Sequence, residues 1–162
     1  MDITTFYALF SATCFTLVGL WWNVVQSHTD WMSDPAKRRV AGGVYLSFLL
    51  PAVMGLFAQV GGAEQPRIWR GAFIVLAVVG CWSTLRLLAR TRGDDFVAWE
   101  QAGATLLYAL IAIVGAAPEL ADHVRLRPIQ AEAVLLITLI ILGHALTWRF
   151  MAGEGRAAEE DQ

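Results

Sequence analysis

The sequence predicts an all-α integral membrane protein: a bundle of five transmembrane helices, with the N-terminus outside and the C-terminus inside. Three observations carry the prediction. Of the 162 residues, 57% are hydrophobic, where an ordinary soluble domain has about 45–50%. Charged residues make up 16%, against about 25% in such a domain, and the mean hydropathy is +0.53. The charges are bunched into short stretches between long apolar runs. Such runs suit helices, because a helix needs about 20 apolar residues to cross the hydrocarbon core.

Five runs reach that length. Residues 3–25, ITTFYALFSATCFTLVGLWWNVV, are the first. They follow Met-Asp with no positive leader and exceed the apolar core of a signal peptide, so a mature helix is expected. Residues 40–60 are the second, with Pro51 at the midpoint. A proline there removes one backbone bond and is expected to kink the helix. The third, fourth and fifth spans are residues 68–89, 96–117 and 129–151. Strands are disfavoured because the runs are long and lack alternation. In lipid every backbone polar group must be bonded internally, and helices do this within one segment. The linkers are too short for a second folded unit, so residues 1–152 are read as one domain. The acidic, small-residue-rich segment 153–162 is read as a mobile cytoplasmic tail.

Lys and Arg counts set the expected orientation. Lys37, Arg38, Arg39, Arg86, Arg90, Arg92, Arg149 and Arg156 fall on one side, against Arg67, Arg70, Arg125 and Arg127 on the other. The richer side is expected to be cytoplasmic. Small residues at helical spacing mark the expected packing faces: Ala8, Ala12, Thr16, Gly19 and Asn23 on the first helix, Gly43, Ser47, Pro51, Gly55 and Ala58 on the second, and Ala98, Ala102, Thr105, Ala109, Ala112 and Ala116 on the fourth. Trp21, Trp22, Trp82, Trp99 and Trp148 lie toward the cytoplasmic helix ends, Trp31 in the loop after the first helix and Trp69 at the outer end of the third, and all are expected to anchor the interface.

The functional lead is polar. Glu100 lies in the cytoplasmic third of the fourth span, and Arg86 lies about as far before the Gly93–Asp94 turn as Glu100 lies after it. Level residues in an antiparallel hairpin suggest an ion pair, which lowers the cost of both charges at depth. Asn23, His144 and Tyr108 fall at neighbouring depths, so a cytoplasm-facing pocket of Glu100, His144, Arg86, Asn23 and Tyr108 is expected. His144 with Glu100 would suit proton relay. A structural clamp explains the same residues. Glu132, near the outer end of the fifth span, is expected to snorkel or to pair with Arg125 or Arg127.

Several classes are excluded. No long basic run or Gly-rich phosphate loop suggests a nucleic acid or nucleotide partner. The two cysteines, Cys14 and Cys81, form no C-x-x-C motif, and no Cys/His spacing suits zinc. His144 is the one histidine inside a span, so a facing pair for haem is lacking, and neither a cofactor nor a metal is expected. The reading that remains is an oligomeric ion channel or a small-solute or proton transporter. The alternatives are a structural or regulatory subunit of a larger membrane complex and, less favoured, a membrane-embedded enzyme acting on lipid with Glu100 and His144 as acid and base. The expected partners are the lipid bilayer and either further copies of the chain or another membrane protein. The expected location is a bacterial inner membrane.

Overall fold

The computed structural model describes residues 2–61, 65–89, 95–120 and 127–160, and the side chains of 95–98 and 154–160 fall outside that description. The turn expected around Gly93 and Asp94, with Arg90 and Arg92, lies outside the described residues, as do His123 and Arg125. Among the described residues six α-helices run in order: α1 (Ile3–Ser27), α2 (Asp30–Ser33), α3 (Pro35–Gly61), α4 (Pro66–Leu88), α5 (Asp95–Ala116) and α6 (Pro128–Glu160). All except α2 are long and apolar enough to cross a membrane. No strand occurs among the described residues.

Local chemistry sets the helix ends. Prolines open α3, α4 and α6, where the missing N–H is one the first turn leaves unbonded anyway. Asp34 precedes α3 and its carboxylate accepts from the Ala36 N–H at 2.7 Å, a cap for that first turn. Before α6, the Arg127 N–H donates to Gln130 Oε1 at 3.1 Å, one half of a capping box. Arg70 of α4 reaches the end of α5, donating to the Gly115 carbonyl at 2.8 Å and the Ala116 carbonyl at 3.3 Å. A cation on the last carbonyls also suits the negative end of the helix dipole.

The helices α3, α4, α5 and α6 close a four-membered ring, each packed on the next and α6 back on α3. Close approach in this ring uses glycine. A Cβ at Gly80 would come within 2.5–2.6 Å of the Tyr108 ring, and one at Gly143 within 2.8 Å of Ser47 Oγ. Helix α1 packs on the outside of α3. Its Tyr7 hydroxyl donates to the Ile129 carbonyl of α6 at 2.7 Å. The α3 helix stays continuous through Pro51, which is buried.

Three features differ from the sequence reading. Residues 30–33 form the short α2, docked on α3 by Trp31. Trp31 is fully buried, stacks on His28 at 4.3 Å and meets Phe150 edge-on. Secondly, Trp21 and Trp69 are also core residues, and the Trp21 indole donates to the Ala41 carbonyl at 3.0 Å. Trp22, Trp82, Trp99 and Trp148 keep the exposure that interfacial anchors need. Thirdly, α6 runs to Glu160, beyond the end predicted at 151. The stretch beyond 151 is rich in Ala and Glu, which are strong helix formers.

Candidate functional site

The interior of the four-helix ring holds a cavity of about 40 Å³. Each helix supplies four lining residues at helical spacing: 43, 46, 47 and 50 from α3, 80, 83, 84 and 87 from α4, 100, 101, 104 and 108 from α5, and 139, 142, 143 and 146 from α6. One water needs about 10–15 Å³ on this measure, so about three would fit. An organic substrate would not. The lining is mostly apolar, and its polar side chains are Ser47, Ser83, Thr84, Glu100, Gln101 and Tyr108.

Glu100 is 9% exposed, and its Oε1 accepts from the Arg149 guanidinium of α6 at 3.4 Å. The pair ties α5 to α6 at the arginine-rich end of the bundle. One turn along α5, Thr105 Oγ1 lies 2.8 Å from both the Thr84 hydroxyl of α4 and the Gln101 carbonyl. The Thr84 hydroxyl in turn donates toward the Gly80 and Cys81 carbonyls, each at 3.0 Å. Tyr108 closes the far side, buried against Gly80. The result is a polar strip along α4 and α5 that ends in a paired carboxylate.

Of the residues expected to converge here, Glu100 and Tyr108 do. Arg86 does not: it is exposed in a groove between α3 and α4, and no ion pair joins it to Glu100. Equal depth in a hairpin does not set the azimuth of either side chain. Thr84 faces the interior, and a residue two positions later is turned about 200° around an α-helix. His144 is exposed, bonded through Nδ1 to the Ile140 carbonyl at 2.9 Å and edge-on to Phe48 at 5.2 Å. It lies about 100° from its neighbour Gly143, which lines the cavity. Asn23 is exposed and donates to the Gly19 carbonyl at 3.2 Å, while Trp21 two positions earlier takes the buried face. The acid–base pairing of Glu100 with His144 is therefore not assembled.

Glu132 departs most from expectation. It is 0% exposed, and neither carboxyl oxygen has a hydrogen-bond partner. It neither snorkels nor pairs with Arg127, and Arg125 lies outside the described residues. Glu132 precedes Leu139 by two turns on the stripe of α6 that lines the cavity. Leu136, one turn further along α6, belongs to the core cluster that also holds Tyr7, Met54 and Phe73. The Ser11 hydroxyl of α1 is also buried without a partner, against Gly55 of α3. The spacing from 132 through 136, 139, 143 and 146 carried this signal in the sequence. Position near a helix end obscured it.

No protein-family model matches the chain. Comparison with curated proteins and with solved structures found no similar one. The reading of function therefore rests on geometry. Among the described residues, no group of three or more His, Cys, Asp or Glu is placed to hold a metal ion. Cys14 and Cys81 are free thiols.

Proposed function

We propose that this chain is a small membrane transport protein that passes protons or a small monovalent cation along the interior of its four-helix ring. One observation carries the reading: two carboxyl groups lie buried toward opposite ends of the same interior. Arg149, the partner of Glu100, stands 17 residues after Glu132 on α6. At about 1.5 Å per residue this is about 25 Å along the helix axis, close to the thickness of a bilayer core. Ionisable residues inside membrane bundles mark ion and proton pathways. Between the two carboxyls the core holds Leu50, Met54, Leu136 and Leu139, an apolar seal. Transport therefore requires the seal to hydrate or the helices to shift. The cavity beside Glu100 holds a few waters at most, which favours a proton or a bare cation over a larger solute. The Lys and Arg bias supports an orientation with the Glu100 end toward the cytoplasm; the membrane proposed is a bacterial inner membrane.

The test is flux into liposomes under an imposed proton or K⁺ gradient. Wild-type protein is expected to conduct, and Glu132→Gln and Glu100→Gln each to lose conduction while staying folded. Folded protein that conducts neither ion, or conducts equally in both variants, would remove the proposal.

A second reading has its own observation. The stripe Ala8, Ala12, Thr16, Gly19 and Asn23 on α1 is exposed throughout, and nothing lies within 4 Å of a Cβ placed at Gly19. Small residues let helices approach closely in lipid, so α1 suits contact with another copy or with a subunit of a larger complex. Cysteines introduced at Ala12 or Gly19 would cross-link two copies in membranes if the contact is homo-oligomeric. A monomer in both membranes and detergent, with no cross-link, would count against the self-contact.

A further inference from the structure

Arg86 is unused by the interior site, and it has company. The first turn of α3 and the last turn of α4 bring Arg38, Arg39 and Arg86 to one groove of about 520 Å³. Forty-seven residues separate Arg39 from Arg86 in the sequence, so the fold makes the cluster. All three arginines are exposed, and none forms an ion pair with a carboxylate among the described residues. Arg38 donates to the Met32 carbonyl at 3.3 Å. The nearby Lys37 differs, since it stands 3.9 Å from Asp30.

The rest of the groove is apolar or small. Leu46 and Leu87 form part of its wall, with Tyr45 and Trp82 beside them. Trp82 is 70% exposed, one helical turn from Arg86 toward the middle of the bundle. That is the placement of an aromatic at the headgroup level. Gly42 lines the same groove, and a Cβ there would meet nothing within 4 Å. The groove therefore combines three guanidinium groups at the end of the bundle with an apolar wall running toward its centre.

We propose that this groove binds the headgroup of an anionic phospholipid, with the arginines on the phosphate and the acyl chains along Leu46, Leu87 and Trp82. Charge complementarity selects this occupant. Guanidinium groups pair with phosphate through two parallel hydrogen bonds, and basic grooves between membrane helices take acidic headgroups. A soluble anion would use the arginines and gain nothing from the apolar wall. A zwitterionic lipid would use the wall and gain little from the arginines.

The experiment is native mass spectrometry and thermal melting of the full chain in detergent. The probes are phosphatidylglycerol, phosphatidylcholine and inorganic phosphate, each at matched concentration. Phosphatidylglycerol is expected to stay bound and to raise the melting temperature. The other two are expected to do neither. The Arg38→Gln/Arg39→Gln/Arg86→Gln variant should retain phosphatidylglycerol at least tenfold more weakly. Gly42→Leu keeps every charge and fills the groove, and it should also weaken retention. All four positions are exposed, so the unliganded melting temperature of each variant should stay near wild type. Equal retention of the two lipids, retention unchanged in the triple variant, or the same stabilisation by inorganic phosphate alone would each overturn the proposal.

Discussion

At the residue scale, the Arg149–Glu100 pair is unequal. Glu100 is almost fully buried, whereas the Arg149 side chain is 35% exposed. Losing the arginine takes a cation from a buried carboxylate, whereas losing the carboxylate leaves an arginine that is already partly in solvent. Arg149→Gln should therefore destabilise by about 1–3 kcal/mol, below the usual 3–5 for a fully buried pair because one partner is wet. Adding Glu100→Gln to that variant should restore part of the loss. Arg86→Gln, which breaks no ion pair, should stay within about 0.5 kcal/mol of wild type. Melting in detergent reads all three, and a large effect of Arg86→Gln would contradict the packing described. Gly80 is a second point of high sensitivity. Its missing Cβ makes room for the Tyr108 ring, so Gly80→Ala should cost about 1–3 kcal/mol by overpacking. A melting temperature equal to wild type would show that Tyr108 can shift.

At the element scale, helix identity was legible in the sequence and helix rotation was not. The lengths of the apolar runs bound the spans, and the four long helices after α1 begin or end close to where composition shifts. In lipid, however, the outward face is as apolar as the inward one. Amphipathic periodicity then fades, and with it the means of aiming Arg86, His144 and Asn23. Glu100 and Tyr108 could be aimed together because eight residues bring the chain only about 80° past two full turns, within one half of the helix. The burial of Trp31, expected in a loop at the interface, was not legible for another reason. A four-residue helix has no periodicity to read, and its burial depends on Phe150 from the far end of the chain. Trp31→Ala should cost about 3–5 kcal/mol, the range for emptying a large aromatic site. Trp148→Ala, on a residue 76% exposed, should leave the melting temperature nearly unchanged. Similar losses in the two variants would mean that α2 does not dock as described.

At the scale of the whole molecule, Glu132 separates a transport path from a structural scaffold. A carboxyl fully inside a membrane bundle costs several kcal/mol when it has no partner. Neither oxygen of Glu132 accepts or donates a hydrogen bond, so the residue contributes no bond that its removal would break. Arg149 and Glu100, at the other end of the bundle, tie two helices together and would be missed by any fold. Glu132→Gln keeps the shape and removes the ionisable group. Melting should be unchanged or rise by a few degrees, while proton or cation flux falls to the background of empty liposomes. A scaffold residue would give the reverse pattern, with lower melting and flux either absent from the start or intact. Glu132→Asp adds a further constraint. It retains a carboxyl but shortens its reach by one methylene, so a transport path predicts partial flux and a small cavity cost of about 1 kcal/mol. Full flux in Glu132→Gln would assign the buried carboxyl no part in conduction, whatever its effect on melting.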